Sequence, residues 1–282
     1  MISDLLSAGP TLSFEFFPPK TPAGLRGLQR TLDTLQTLRP SFISVTYGAG
    51  GSTRETTRDL VVEANAKWPF PAMAHLTCVS HSVADLTELL ADYSSHGVSN
   101  LLALAGDPPA DGAIVGDLKY ASELVELIRA SGDFSIGVAA QPELHHRSTD
   151  RQTDRRFLAA KLNMADFGVT DFFFTASDYV QMVNELADLG CDRPILPGIM
   201  PVTNPASIKR FAEMSKIARP PKMWEHLESL QDDPDALLDA ATDYACELIE
   251  QLQAAGCPGV HIYALNKPEA SMAICERLGL TG

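Results

Sequence analysis

The sequence predicts a parallel (β/α)8 barrel, one domain spanning residues 1–282. Three observations lead there. Eight short apolar segments recur along the chain. Each is a near-continuous hydrophobic run, the form of a strand buried on both faces. Amphipathic stretches of helical spacing separate them, as parallel strands require. A doubly wound open sheet is the rival architecture, but no G-x-G-x-x-G follows any strand.

Taken in order, the first strand is expected at LSFEFF (12–17), with Glu15 in its midst. Pro18 and Pro19 end it, because proline has no amide for a ladder. LRGLQRTLDTLQTL (25–38) follows as a helix. Strand 2, FISVTY (42–47), ends on Thr46 and Tyr47 before the glycine-rich GAGGST (48–53). Strand 3, AMAHLT (72–77), ends with His75 and Thr77. The helix after it, 83–97, reaches a C-cap at Gly97. Strand 4, NLLALA (100–105), runs into AGDPP, which sets Gly106 and Asp107 just past its end. Strand 5, SIGVAA (135–140), runs into QPELHH (141–146), with Gln141 and His145. Strand 6 is expected at DFFFT (171–175), beginning at Asp171, and Gly190 caps the next helix. Strand 7 is RPILPGI (193–199). The acidic LESLQDDPDALLDAATDY (227–244) reads as an inserted loop and a solvated helix. Strand 8, GVHIYAL (259–265), ends in YALNK with Tyr263 and Lys267. Barrel active sites gather at the C-terminal ends of the strands. Polar residues stand at that end of seven of the eight expected strands, so they share one rim.

Bulk properties narrow the function. With 282 residues and 45% hydrophobic content the chain can bury a large core. Its apolar runs are far shorter than a membrane span, and MISDLLSAG lacks the basic start of a signal peptide. A cytoplasmic protein with no membrane partner is expected. The net charge of −14 opposes nucleic-acid binding but leaves room for a locally basic pocket. Of the five cysteines none forms a C-x-x-C pair, so reduced and mostly buried thiols are expected.

The chemistry centres on Glu15 and Asp107, two carboxylates at one end of a barrel. Among Phe14, Phe16 and Phe17, Glu15 is expected to have its pKa raised by desolvation, which would make it a general acid near neutral pH. A solvent-facing or ion-paired carboxylate is the alternative. Adjacent histidines in ELHH seldom reach one ion, and no third ligand is visible, so His145 is given a hydrogen-bonding role and no metal is expected. Phe172, Phe173 and Phe174 read as packing. GAGGST lacks the G-K-[ST] ending of a P-loop.

Together, SFEFFPPK, FISVTYGAGGSTRETT, AHLTC, ALAGDPP, VAAQPELH, TDFFFT, ILPGIMPVTN and HIYALNK resemble the methylenetetrahydrofolate reductase family, in its order and over nearly the whole chain. The resemblance implies reduction of 5,10-methylenetetrahydrofolate to 5-methyltetrahydrofolate with electrons from a nicotinamide dinucleotide. It implies that Glu15 protonates the folate N10 side to open the ring, and that Asp107 stabilises the cation that forms. It also implies binding roles around folate and cofactor for Thr46, Tyr47, His75, Gly106, Gln141, His145, Asp154, Lys161, Asp171, Tyr263 and Lys267.

Departures from the family pattern carry their own expectation. Ala105 stands where members usually have Arg, Gln141 for Tyr, Asp171 for Gln, and Phe157 and Ala160 on the flavin-facing helix. Each lost contact costs about 1–3 kcal/mol of binding, so FAD is expected to be absent or weakly held. NADH (or NADPH) is then expected to give hydride directly to the folate, with NADH preferred because no Arg pair stands ready for a 2′-phosphate. Thr46, His75, His145, Asp154 and Lys161 are the residues that could still hold a flavin, which keeps the ordinary flavoenzyme as the alternative. A non-catalytic folate-binding barrel is the third reading, and intact Glu15 and Asp107 argue against it. Oligomeric state is left open.

Overall fold

The computed structural model describes residues 1–48, 54–106, 116–145 and 147–282. The strands are β1 Thr11–Phe16, β2 Phe42–Val45, β3 Ala72–Thr77, β4 Asn100–Leu104, β5 Ser135–Ala140, β6 Phe167–Phe172, β7 Ile195–Ile199 and β8 Gly259–Tyr263. All pair in parallel, and β8 returns to β1 to close the barrel. The (β/α)8 expectation holds. The helices are α1 Ile2–Ala8, α2 Pro22–Leu35, α3 Arg54–Lys67, α4 Val83–Ser95, α5 Ala121–Ser131, α6 Arg151–Met164, α7 Ala176–Asp188, α8 Pro205–Ser215, α9 Pro221–Ser229, α10 Pro234–Ala254 and α11 Glu269–Leu278. None is long and apolar enough to cross a membrane, among the described residues.

Strand alternation sorts each side chain to one of two cores. Leu12, Phe14 and Phe16 of β1 join the outer core with Leu28, Leu32 and Leu35 of α2. Ser13 and Glu15 face the other way, into the barrel. The barrel floor is apolar: Phe42, Met73, Leu102, Phe167, Val169 and Leu196 pack there with Ile2 of α1. The amides of Ile2 and Ser3, which a helix start leaves without partners, donate to Asn100 Oδ1 at 2.8 Å and Ser135 Oγ at 3.0 Å. Helix α1 therefore plugs the bottom, and polar chemistry is confined to the top.

Two expectations need correction. Strand β6 covers Phe167–Phe172, earlier than DFFFT suggests, because α6 ends at Met164 and leaves FGVTDF free to extend. Asp171 thus lies near the end of β6 rather than at its start, beside a register irregularity between Val169 and Phe172. The 227–244 stretch is not a solvated insertion. Met223, Trp224 and Leu227 of α9 and Leu237, Ala240 and Ala241 of α10 bury against Phe172, Met200 and Val202 in a satellite core. Its acids occupy the outer face of an amphipathic pair. The Phe172–Phe174 run is packing, as expected. Gly97 and Gly190 follow their helices with φ of 72° and 74°. Cys78, Cys191, Cys246 and Cys275 are buried free thiols, and Cys257 is half-buried.

Candidate active site

Glu15 sits one residue before the end of β1, with its side chain only 11% exposed. Three side chains converge on its Oε2 at 3.2 Å each. Ser44 Oγ of β2 donates a hydrogen bond, and His261 Nε2 of β8 meets it from the other side. His75 Nε2 of β3 is the third, at charge-contact distance but off the line of a hydrogen bond. Registers set this up: Glu15 is opposite Ser44 across β1–β2, and Ser13 is opposite His261 across β1–β8.

This arrangement overturns the aromatic setting expected for Glu15. Its chain neighbours Phe14 and Phe16 point outward, and Phe17 is exposed. Burial alone would raise the Glu15 pKa. The charges of His75 and His261 and the hydrogen bond to His261 outweigh it and hold the carboxyl well below the usual range. Glu15 is an ionised group in a polar cluster, the reverse of a carboxyl kept neutral by hydrocarbon.

The segment after β8 pins β1 from above. Ala264 N–H donates to Glu15 O at 3.1 Å. The Asn266 side chain then pairs with the Phe17 backbone, accepting from its N–H at 3.0 Å and donating to its carbonyl at 2.8 Å. To do so Leu265 and Asn266 both take positive φ, 51° and 60°. Such strain persists only where surrounding contacts enforce it. The ALN of YALNK is thereby explained as a clamp. Lys267 is exposed and contributes a backbone hydrogen bond to Ala264 O.

Tyr263 bridges the two sides of the rim. Its ring lies edge-on to His261 at 5.8 Å, and its hydroxyl donates to Thr170 O at 2.9 Å. Gly198 makes room for it: a Cβ there would fall 2.7 Å from Tyr263 Cε2. Burial, reinforced by the charges of Glu15 and Asp171, raises the Tyr263 pKa well above its ordinary value, so it acts as a neutral donor.

On the far side, Gln141 Nε2 donates to Asp171 Oδ2 at 3.1 Å. Lys161 of α6 donates to Ala139 O at 2.6 Å. Burial pushes the Lys161 pKa down to about 8 against the opposing pull of Asp171 and Asp154. Asp154 accepts from Ser148 Oγ at 2.6 Å, His145 N–H at 3.3 Å and Arg155 Nη1 at 2.5 Å. His145 Nδ1 accepts from Arg147 N–H at 3.1 Å, in keeping with a hydrogen-bonding histidine. Arg155, which is 2% exposed, also donates to the carbonyls of Gln141, Pro142 and Glu143 and to Glu185.

Other expected site residues are placed differently. Tyr47 belongs to the outer core rather than the barrel mouth; its hydroxyl is 3.0 Å from His81 Nε2, and burial pushes its pKa up to about 12. Thr46 ties β2 to β1 by its amide to Phe16 O at 2.8 Å. Gly106 ends the β4 side with φ of 84°, and a Cβ there would meet Val79 Cγ1 at 2.4 Å. It is a position for glycine alone. Asp107, residues 49–53 of GAGGST and His146 lie outside the described residues. Sequence reasoning missed Ser13, Ser44 and His261. The signal was present: each lies two residues from, or directly across the ladder from, a residue already singled out.

Several residues offered to a flavin are engaged within the protein. His75 faces Glu15, Asp154 and His145 secure their own loop, and Lys161 is engaged with a backbone carbonyl. Phe157 is 72% exposed, and Ala160 is exposed on the same helix.

The methylenetetrahydrofolate reductase family model matches residues 2–279. A 5,10-methylenetetrahydrofolate reductase of Pectobacterium carotovorum is 36% identical over 270 residues, 95% of this chain and 90% of that protein. Methylenetetrahydrofolate reductase (NADH) 1 of Arabidopsis thaliana is 33% identical over 95% of this chain and 48% of its own length. Among solved structures, a Clostridium thermocellum protein described as binding two copies of 5-methyl-5,6,7,8-tetrahydrofolic acid superposes with a TM-score of 0.70. It is 14% identical and covers 98% of this chain and 97% of its own. At that identity the likeness is one of fold.

Proposed function

The chain belongs to the methylenetetrahydrofolate reductase family, and from that premise we propose that it reduces 5,10-methylenetetrahydrofolate to 5-methyltetrahydrofolate by direct hydride transfer from NADH. The observation that carries the reading is the buried Glu15 cluster at the C-terminal end of the barrel, where three side chains meet one carboxylate oxygen. Ring opening needs a proton on the arylamine nitrogen as its bond to the methylene carbon breaks, and Glu15 passes it on: its carboxylate takes up a proton from water and gives it to that nitrogen. The electron pair of that bond stays with the nitrogen, and the pterin nitrogen's lone pair forms the iminium. Hydride adds to the methylene carbon. Asp107, by family resemblance, stabilises the cation, as an ionised carboxylate does.

Direct transfer is supported by the apolar or internally engaged residues at the flavin-facing positions, and NADH as the donor by the name of the Arabidopsis relative. It requires both substrates bound at once, with the nicotinamide C4 about 3–3.5 Å from the methylene carbon. Gln141, Asp171 and Tyr263 then orient the pterin beneath it.

Bisubstrate kinetics test this. Intersecting double-reciprocal lines are expected, together with transfer of deuterium from 4-deuterated NADH straight to the product methyl group in a single turnover. Parallel lines, with a yellow protein bleached by NADH, would restore the flavin route.

A further inference from the structure

A cavity of about 360 Å3 opens on the β5–β6 side of the rim, within the range of small-molecule sites, about 300–1,000 Å3. It lies where the loop after β5, the start of α6, the first turn of α7 and the link from α8 to α9 meet. Its walls include Glu143, Leu144, Ser148, Arg151, Asp178 and Lys216. Two of these are acids, two are bases, and Leu144 is an apolar side chain left 38% exposed. Glu143 is fixed in place, because the Ala218 N–H donates to both its carboxylate oxygens at 3.0 Å. Lys216 caps α8 with φ of 57°, and this left-handed turn leads the chain to that contact. Arg151 Nε donates to both oxygens of Glu185, at 2.7 and 2.9 Å. Arg151 Nη2 is buried with no hydrogen-bond partner among the described residues. A buried donor left unpaired costs free energy that a ligand's acceptor recovers.

We propose that this cavity binds a free α-amino acid with an apolar side chain, its carboxylate on Arg151 and Lys216, its ammonium on Glu143 and Asp178, and its side chain along Leu144. The proposal goes beyond the reduction described above and does not depend on it. Simpler ligands leave part of the wall unanswered. Phosphate suits the two bases but meets two carboxylates, and like charges side by side are costly. A metal ion suits the acids, but Arg151 repels it. Nor is any group of three His, Cys, Asp or Glu side chains placed to hold one, among the described residues. A wholly apolar molecule would cover charges of both signs without pairing them. In an α-amino acid the two charged groups share one carbon, so one small molecule meets both signs and still has a side chain for Leu144.

The electrostatics of the two acids agree with this. Burial raises the pKa of Glu143 over the opposing Ala218 hydrogen bond, and the charge of Asp178 adds to the rise. Burial likewise raises Asp178, against the pull of Arg151. An ammonium between the two carboxyls favours the charged form of both, and hydrogen bonds between ionised groups are the strong ones. The wall is also preformed. Arg155 donates to the carbonyls of Pro142 and Glu143 at 2.5 and 2.7 Å and shares Glu185 with Arg151, so little chain has to be ordered on binding.

An amide NMR titration of the full chain, without folate or dinucleotide, tests the proposal with three probes of one shape. They are L-leucine, 4-methylpentanoate, which lacks the amine, and 3-methylbutylamine, which lacks the carboxylate. L-Leucine should saturate one site per chain and shift the amides of Leu144, Ser148 and Lys216. Each truncated probe should bind about 10-fold more weakly or worse, the effect of losing one charge-assisted contact. Asp178→Asn should weaken L-leucine and 3-methylbutylamine by about 10-fold without weakening 4-methylpentanoate. Lys216→Gln, an exposed change that spares the fold, should weaken L-leucine and 4-methylpentanoate by about 3-fold and leave 3-methylbutylamine unchanged. Binding of 4-methylpentanoate as tight as that of L-leucine would overturn the proposal. Tighter binding of inorganic phosphate would do so as well and make the cavity an anion site. No saturation by about 10 mM L-leucine, shifts confined to other parts of the chain, or a folded Asp178→Asn with unchanged L-leucine affinity would also overturn it. Binding is read here without turnover, so its failure leaves the reduction standing, and failure of the reduction leaves this site standing.

Discussion

On the β8–β1–β2–β3 side of the rim, Glu15 meets Ser44, His75 and His261 at 3.2 Å each, and every one of them is a side chain. On the β5–β6 side, Asp154, Arg155 and Lys161 are tied largely to backbone amides and carbonyls of their own loop. In the first region the polar atoms answer to one another. In the second they fix the path of the chain, while Gln141 donates to Asp171 and the charge of Asp171 is felt at Tyr263. Under the proposed function, the first region reacts and the second holds. Substitutions should therefore separate: turnover on one side, stability and affinity on the other.

The largest effect is expected at Glu15. Glu15→Gln should lower kcat by about 10²-fold or more, the usual range for removing a general acid, with KM little changed. A variant keeping most of its turnover would break the comparison at its centre. Acid unfolding gives a second reading of the same group. A carboxyl whose folded pKa is depressed adds stability above its ordinary value of about 4.5 and loses it as pH falls below that. Wild type should thus lose its advantage over Glu15→Gln between neutral pH and pH values below about 4.5, as read from denaturant midpoints.

The same contrast explains what the sequence could and could not say. Eight apolar runs at regular spacing made the barrel legible, because burial on both faces leaves that trace in every strand. Strand 6 was misplaced because Phe172–Phe174 outshone FGVT, whose glycine and threonine are small where the strand passes close to β7. Glu15 was legible as a residue but not as an environment. Sequence neighbours Phe14 and Phe16 lie on the opposite face of the strand, and the true neighbours are 29, 60 and 246 residues away. The amphipathic α9 and α10 were hidden by their acidic outer faces. The role of Arg155 as a loop anchor left no local signal, since three of its partners are carbonyls.

Arg155 provides the intermediate effect. Its side chain is 3% exposed, and it supplies donors to three consecutive carbonyls and to Asp154. Arg155→Met fills similar space but leaves those acceptors buried without partners. Breaking a buried ion pair from one side costs about 3 kcal/mol or more, and unfolding should report a loss of that order. Because Gln141 rides on the released loop, KM should rise about 10-fold, while kcat stays within about 3-fold. A fall in kcat with KM unchanged would mean that the loop side takes part in the reaction, and the division between the two regions would fail.

The smallest effect is the titration of Lys161, and it sharpens the comparison because it asks whether the holding side carries a labile charge. Its pKa in the folded protein is pushed from 10.5 to about 8, burial outweighing the attraction of Asp171 and Asp154. In the unfolded chain the lysine returns to its ordinary value. Between about pH 8 and 10.5 the unfolded state therefore binds a proton that the folded state has released, and stability rises with pH. Below about pH 8 both states are charged, and the full cost of burying the ammonium is present. Buried tyrosines and cysteines work the other way in this range, since their raised pKa values delay ionisation in the folded state alone. The wild type by itself would mix these opposing trends. The difference between wild type and Lys161→Met cancels the groups they share and leaves the lysine. Wild type should gain on the variant from about pH 8 to pH 10 in denaturant unfolding, and the two should run parallel between pH 6 and about pH 7. A constant difference across the whole range would mean that Lys161 keeps its proton throughout, held by Asp171 more strongly than burial opposes it, and would make the β5–β6 side a fixed charge as well as a fixed loop.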